Sequence, residues 1–213
     1  MQPFTTLEGP AAPLMLSNVD TDVIIRIDRL TGGGERGSLG HWAFEALRYF
    51  PDGSPDPNFV FNREPFRDAP ILLAGPNFGC GSSREAAVTA LMGLGVRCVI
   101  ADGFGDIFVS NCFQNGVLPI RLPEPVVADL ARRAESGRPM RVDLDAQTVA
   151  IGNHAVSFDI DRQRKATLLA GLDDIGLSLA AMDDIRAWQA RDRLARPWVW
   201  TPVARPETMG EPA

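Results

Sequence analysis

A glycine-rich turn between an apolar run and a helical pattern is the feature that most constrains the fold of this chain. Residues 69–74 have the continuous apolar character of a buried strand, and residues 85–94 carry Ala, Val, Leu and Met at helical spacing. Between them, residues 75–84 read Gly-Pro-Asn-Phe-Gly-Cys-Gly-Ser-Ser-Arg. This order predicts a strand, a tight turn and a helix whose first turn receives the two serines and the arginine.

The turn has the chemistry of a carboxylate site. Free N–H groups at a helix start favour negative charge, and Arg84 offers a planar fork for a carboxylate. A Walker phosphate loop is excluded because no Lys-Ser/Thr follows the glycines. A serine-hydrolase elbow lacks its Gly-x-Ser-x-Gly frame, and only His41 and His154 could serve as its base. A small carboxylic acid is the predicted ligand; the alternative is a structural helix capped by Ser82 or Ser83, with Arg84 in a surface salt bridge.

Composition and charge exclude several classes of protein. A chain of 213 residues with 45% hydrophobic residues can bury a full α/β core. A net charge of −6 without a basic stripe argues against nucleic acid, and no apolar stretch approaches the ~20 residues that span a membrane. Cys80, Cys98 and Cys112 lack Cys-x-x-Cys spacing, so no metal site is predicted on this chain. Three cysteines without a signal peptide predict a cytoplasmic location.

Strand and helix patterns alternate along the chain and predict a β/β/α layered domain over residues 1–195. Strands are predicted at residues 12–16, 71–74, 96–101, 117–121, 142–145, 148–151 and 154–159. Helices are predicted at residues 41–47, 85–94, 106–115, 124–136, 166–170 and 182–194. Residues 196–213 are rich in proline and are predicted to form a tail that is disordered or laid along a surface.

Three motifs resemble those of one protein family. They are Asn-Val-Asp-Thr-Asp at residues 18–22, Gly-Cys-Gly-Ser-Ser-Arg-Glu at 79–85 and Gly-Leu-Asp-Asp-Ile-Gly-Leu at 171–177. Together they look like the small subunit of bacterial 3-isopropylmalate dehydratase, in the aconitase superfamily, over roughly the first 190 residues. The resemblance implies an α/β fold like the swivelling fourth domain of aconitase.

The same resemblance implies half of a hydro-lyase. The chain would close over a large subunit that carries a [4Fe-4S] cluster, and would bind no cofactor itself. The complex would interconvert 2-isopropylmalate and 3-isopropylmalate by dehydration and rehydration, in leucine biosynthesis. Ser82 would be the base that moves the carbon-bound proton of this small dicarboxylic acid. Ser83 and Arg84 would hold its carboxylates, and Asp22 would line the same pocket.

Two departures from the family pattern bear on the substrate. Ala86 stands where a histidine is usual, and Arg26 stands where a proline is usual. The glycine-rich segment 26–40 is predicted to be a mobile flap. The resemblance implies that this segment recognises the variable side chain of the substrate, with Arg26, Arg29 and Arg36 as its candidate contacts. Two alternatives therefore stay open: a paralogue for a diacid of the citraconate, methylmalate or homoaconitate type, and a non-catalytic regulatory subunit that binds a metabolite.

Overall fold

Two short strands that are buried along their whole length, β3 (Ile71–Ala74) and β4 (Cys98–Ala101), form the centre of a parallel sheet. Their neighbours are β2 (Ala11–Leu14) and β5 (Leu118–Arg121), in the order β2-β3-β4-β5. The computed structural model describes residues 1–30, 36–81 and 84–200, without the side chains of residues 36–38. The parallel strands carry apolar side chains on both faces, because layers of structure cover both sides of the sheet.

A second sheet is antiparallel and has the order β1-β6-β7-β8. Its strands are β1 (Thr6–Gly9), β6 (Met140–Asp143), β7 (Thr148–Ile151) and β8 (His154–Ser157). Strands β7 and β8 form a hairpin in which Ile151 pairs with His154, and Gly152 in the turn has φ of +57°. His154 therefore lies next to a hairpin turn.

The helices complete the layers. They are α1 (Thr21–Ile24), α2 (Glu45–Arg48), α3 (Glu85–Gly93), α4 (Asp106–Asn115), α5 (Glu124–Ala134) and α6 (Arg162–Ala170). Alternate side chains of β3 and β4 point into two cores: Leu72 and Val99 pack with α3 and α4, whereas Leu73 and Ile100 pack with α5 and the antiparallel sheet. This is the predicted β/β/α arrangement.

Several predicted elements need correction. Strand β1 and the helix at Asp174–Ala180 were not predicted. Helix α6 begins at Arg162 rather than at residue 166. It starts earlier because the side chain of Asp161 caps it, accepting from the N–H groups of Gln163 and Arg164 at 3.0 Å. The predicted helix over 41–47 is instead a 3₁₀ helix, Arg36–Trp42, followed by α2. The chain turns between them at Phe44, whose φ is +56°.

The chain divides into two compact units, residues 1–173 and residues 174–213. The second unit contains α7 (Asp174–Ala180), α8 (Met182–Ala195) and a 3₁₀ turn, Pro197–Val199. The predicted tail is thus partly regular, and its residues 201–213 lie outside the described part. The boundary predicted at residue 195 stays a prediction. Among the described helices, none has the length and apolar character needed to cross a membrane.

Candidate active site

Three loops meet at the carboxyl ends of the parallel strands. They follow β2, β3 and β4 and comprise residues 15–20, 75–81 and 102–105. Backbone hydrogen bonds join them: Asn18 N to Pro76 O (2.8 Å), Gly79 N to Val19 O (2.7 Å), Thr21 N to Cys80 O (3.1 Å), Phe78 N to Gly103 O (3.0 Å) and Gly105 N to Phe78 O (3.0 Å). This edge is where open α/β sheets bind ligands, and the glycine-rich turn lies in the middle of it.

Gly79 fixes the path of the turn above an aromatic floor. Its φ is +68°, and a Cβ at this position would lie 2.3 Å from Cγ of Phe108. Phe108 itself packs edge-on against Phe78 and stacks on Phe104, with ring centroids 5.5 and 6.2 Å apart. Only glycine satisfies both the left-handed backbone and the close approach.

Helix α1 places the carboxylate of Asp22 beside the glycine-rich turn. Asp20 caps the helix by accepting from Val23 N at 2.8 Å. The local capping role at the start of α1 therefore belongs to Asp20 and not to Asp22. Asp22, in the first turn, is left with its side chain 54% exposed.

Arg84 and Asp22 form an ion pair, although they are 62 residues apart in sequence. The guanidinium Nη1 of Arg84 donates to Oδ1 of Asp22. This hydrogen bond, with the negative charges of Asp22 and Asp20, raises the pKa of Arg84 against the opposing effect of burial. The side chain of Arg84 is only 16% exposed, so its charge is largely shielded from water and directed toward one carboxylate.

Helix α3 begins at Glu85, the residue at which the sequence predicts its start. Arg84 occupies the N-cap position with an extended backbone (φ −136°, ψ 118°), and its own side chain makes no capping hydrogen bond. Arg84 therefore lies at the start of α3, immediately before its first turn, and the first N–H groups of α3 receive no side-chain cap from this residue. The predicted base Ser82 and its neighbour Ser83 lie outside the described residues.

The predicted flap is held in place at its described ends. Residues Ile27–Arg29 form a 3₁₀ turn, and Gly40 lies against Gly93 of α3 so closely that a Cβ on Gly93 would be 2.5 Å from Gly40 N. Arg29 donates from Nε to Glu45 Oε2 at 2.9 Å, and its guanidinium lies 3.9 Å from the ring centroid of Trp42. At these ends the segment is a packed element, so the expectation of a mobile flap is wrong there.

The other two candidate specificity residues are less constrained. Arg26 donates from Nη2 to Asp28 Oδ2 at 2.9 Å, and both side chains are largely exposed. Arg36 begins the 3₁₀ helix that leads to Trp42, but its side chain lies outside the described part. An open cleft of about 580 Å³ lies beside Arg26 and is lined also by Trp42, Tyr49 and Phe50.

The Arg29–Glu45 pair predicts a pH-dependent contribution to stability. Hydrogen bonding from Arg29 lowers the pKa of Glu45 below its usual 4.5, so the folded state favours the carboxylate. The contribution is therefore present above about pH 4.5 and is lost as pH falls through the lowered pKa of the folded state. We expect Glu45→Gln to melt below the wild type near neutral pH, and the two melting temperatures to converge on acidification. Thermal unfolding from about pH 7 to pH 3 measures the melting temperatures. The control is Glu8→Gln, which changes an exposed carboxylate. A difference in melting temperature between Glu45→Gln and the wild type that stays constant with pH would contradict the role assigned to the Arg29–Glu45 pair.

The cysteines are poor donors for a metal or cluster. Cys98 and Cys112 are buried, and burial raises the pKa of both thiols, so they stay protonated. Cys80 lies in the glycine-rich turn and is half-buried. In residues 1–30, 36–81 and 84–200, no three His, Cys, Asp or Glu side chains are grouped so as to hold a metal ion.

Sequence reasoning missed two parts of this site. The aromatic floor was missed because Phe78 follows β3 whereas Phe104 and Phe108 follow β4, so no local pattern contains all three. The side-chain bond between Asn77 and Asn18, at 2.9 Å, was also missed. Both asparagines have φ near +55°, at +57° and +55°, so their type and place in turns were the available signal.

Comparison with known proteins agrees with this architecture. Residues 1–125 match the family described as the aconitase C-terminal domain, which is the class of domain that the two sheets and the glycine-rich turn define. The chain belongs to the family of 3-isopropylmalate dehydratase small subunits. The family, the fold and the hydro-lyase function in leucine biosynthesis that the three motifs predict are thereby confirmed.

The individual similarities are extensive. The 3-isopropylmalate dehydratase small subunit of Rhodospirillum centenum is 48% identical over 201 residues, which is 93% of this chain and 98% of that protein. That of Jannaschia sp. is 50% identical over 202 residues, covering 93% and 100%. The crystal structure of 3-isopropylmalate dehydratase from Methanocaldococcus jannaschii superimposes with a TM-score of 0.64 at 26% identity, covering 86% of this chain and 99% of that one.

Proposed function

We propose that this chain supplies the proton-transfer and carboxylate-binding half of a 3-isopropylmalate dehydratase, and that it acts with a large subunit. The observation that carries the proposal is the Arg84–Asp22 pair beside the glycine-rich turn at the carboxyl ends of the parallel strands. An arginine that is largely shielded from water and already engages one carboxylate is suited to exchange it for a carboxylate of the substrate.

Arg84 is the proposed carboxylate clamp. When a dicarboxylic acid enters, Asp22 is the group it displaces from Nη1, and the exposed Asp22 can turn toward water without being buried unpaired. Ser83 is proposed to bind the same carboxylate. The exchange conserves charge, so the pocket is not left with an uncompensated cation or anion.

Ser82 is the proposed base. A serine hydroxyl becomes a useful base only when backbone N–H groups and positive charge stabilise its alkoxide. The backbone N–H groups at the start of α3 and the guanidinium of Arg84 are the neighbouring groups in sequence that can supply both. Ser82 would then take the proton from the carbon next to a substrate carboxylate and return it in the reverse step.

The remaining chemistry belongs to the partner. Loss of hydroxide requires a Lewis acid, which the [4Fe-4S] cluster expected on the large subunit supplies. The buried, protonated thiols Cys98 and Cys112 do not fit a role as cluster ligands here. A cytoplasmic location is also proposed, from the cysteine usage of the sequence.

Substrate selection is proposed to depend on the segment that begins at Arg26. Arg29 is committed to Glu45 and Trp42, so its role would be to hold the segment, and Arg26 and Arg36 would remain as the contacts that face a ligand. Ala86 lies in the first turn of α3 and packs partly against the core, so it offers the site a methyl group in place of a titratable one. The likeness of the chain to 3-isopropylmalate dehydratase small subunits favours 2-isopropylmalate over the citraconate, methylmalate and homoaconitate types.

The substrate assignment is tested with the reconstituted complex. Alkene absorbance is followed with 2-isopropylmalate, citraconate and homoaconitate, and kcat/KM is compared among them. We expect 2-isopropylmalate to be preferred by at least about tenfold, the discrimination that one or two methylene groups give in an apolar pocket. A larger value for another diacid would assign the chain to a paralogous reaction, and binding without turnover would favour the regulatory alternative.

Arg84→Lys is expected to lower kcat/KM by about 10- to 100-fold, because an ammonium group cannot reproduce two parallel hydrogen bonds to a carboxylate. Most of the effect should appear in KM, since the contact exists before the chemical step. Steady-state kinetics of the complex measure it. Arg132→Lys, at the exposed end of α5, is the matched control. Equal kinetics for the two variants would show that Arg84 does not bind the substrate.

A further inference from the structure

A basic cleft lies outside the candidate active site, between the end of α5 and the turn that joins β7 and β8. It is open to solvent and has a volume of about 600 Å³, which is in the range of sites for small molecules. Arg133 and Arg138 line it from the end of α5 and the segment that follows. Gly152, Asn153 and His154 line it from the hairpin. The proposed function gives none of these residues a role.

The cleft lies at the opposite edge of the parallel sheet from the candidate active site. Helix α5 follows β5 and runs back from the carboxyl ends of the strands. Just after the helix, Gly137 lies so close to Pro65 that a Cβ on Gly137 would be 2.7 Å from Cγ of Pro65. The segment that contains Pro65 leads into the amino end of β3. A ligand in this cleft would therefore not occupy the site that contains Arg84.

A single carboxylate, that of Asp129, serves several basic groups beside the cleft. Its Oδ1 accepts from Arg132, and its Oδ2 accepts from Nε of Arg133 at 2.6 Å. Nε2 of His154 lies 3.5 Å from the same Oδ2. Hydrogen bonding from Arg133, together with that from Arg132, lowers the pKa of Asp129, so this group is a carboxylate at neutral pH. One negative charge is therefore shared by two guanidinium groups.

Arg138 adds a third guanidinium group, and no acidic side chain in the described part of the chain pairs with it. Its Nη1 would lie 3.8 Å from a Cβ at Gly152, which places the guanidinium beside the hairpin turn. Asp129 takes only the Nε donor of Arg133, whose Nη groups donate to no described residue. With the histidine neutral, three arginines and one aspartate leave this region a formal charge of +2, in a chain whose net charge is −6.

We infer that this cleft binds a phosphate group, either free or carried by a small metabolite. Arginine suits this ligand because its parallel N–H groups match two phosphate oxygens. A phosphate dianion balances the formal charge, whereas a monocarboxylate leaves one guanidinium uncompensated. Gly152 and Asn153, the two residues of the hairpin turn, add N–H groups that lie outside the strand ladder. The binding groups are Arg133, Arg138 and this turn, while Arg132 stays in its ion pair.

The test measures phosphate binding to the full chain by calorimetry and locates it by the NMR signals of the Gly152 and Asn153 amides. The probes are inorganic phosphate and glycerol phosphate, at constant ionic strength because salt screens exposed charges. We expect saturable binding that shifts both amide signals. In Arg133→Gln/Arg138→Gln, Kd should rise at least about tenfold, because charge-assisted hydrogen bonds are lost. Both replaced residues are exposed, so this variant should fold, and its melting temperature checks that it does.

Matched variants and a second dianion decide between the outcomes. Arg186→Gln/Arg191→Gln removes the same charge from exposed positions on α8 and should bind phosphate as the wild type does. Arg84→Lys should keep the hairpin shifts, which separates this cleft from phosphate bound in the candidate active site. Tighter binding of glycerol phosphate than of inorganic phosphate would identify an organic phosphate as the ligand, and equal or weaker binding would identify free phosphate.

Three results would overturn the inference. The first is hairpin amide signals that do not move with either probe. The second is a Kd for Arg133→Gln/Arg138→Gln within twofold of the wild type, or an equal rise in Kd for the α8 control. The third is tighter binding of succinate than of both phosphates, because succinate carries the same charge on two separate carboxylates.

Discussion

Replacing Ser82 by alanine is expected to abolish turnover by the assembled enzyme while leaving the assembly intact. Removal of a positioned base typically costs about 10²- to 10⁴-fold in rate, and alanine retains no group that can carry the proton. The loss should fall on kcat rather than on KM, because the hydroxyl acts mainly in the transition state. Initial rates of alkene formation and a binding measurement with the large subunit give the two quantities.

The interpretation of Ser82→Ala depends on a serine control. Ser157→Ala on β8 removes an exposed hydroxyl from the antiparallel sheet, and full activity is expected for it. Exchange of the carbon-bound proton with solvent deuterium should also disappear in Ser82→Ala. Retention of that exchange at the wild-type rate would assign the base to another group.

Replacing Gly79 by alanine is expected to damage stability and activity together. The change forces a Cβ to within 2.3 Å of Cγ of Phe108 and places alanine at φ of +68°. A left-handed alanine costs about 1–2 kcal/mol, and overpacking against a buried ring adds about 1–3 kcal/mol. The free energy of unfolding should therefore fall by about 2–5 kcal/mol.

Activity should fall in the same variant because the turn carries the site. Displacement of Gly79 breaks its bond to Val19 O and shifts the chain that leads to Arg84. Gly103→Ala is the control: its new Cβ would lie 3.7 Å from Asn77 N, an ordinary contact. Denaturant unfolding and kinetics are measured for both chains, and a Gly79→Ala protein as stable as Gly103→Ala would refute the steric argument.

The fold was largely predictable because its signals are local. The apolar runs of β3 and β4 and the helical spacing of α3 each lie within a few residues, and the three motifs carried the family. Strand β1 was missed because its residues alternate between exposed and half-buried, with no apolar run to mark it. Helix α7 was missed because its apolar residues Ile175 and Leu179 face outward, where they form no core pattern.

The sequence allowed us to predict which residues belong to the candidate site, but not how they are arranged. The motifs brought Asp22 and Arg84 into one hypothesis, yet only the fold joins them in an ion pair. Arg29 shows the reverse case. Its charge in a glycine-rich segment indicated a ligand contact, but Glu45 and Trp42, 16 and 13 residues away, engage it instead. Such long-range pairings depend on tertiary structure, which no local pattern reports.

The proposal that this chain acts only with a large subunit is tested most directly by alkene formation from 2-isopropylmalate. It is measured in three preparations: this chain alone, the anaerobically reconstituted large subunit alone, and the two mixed. We expect activity only in the mixture, with a rate that reaches a plateau as this chain is added. Activity of the chain alone, or none in a mixture shown to contain the assembled complex, would contradict it.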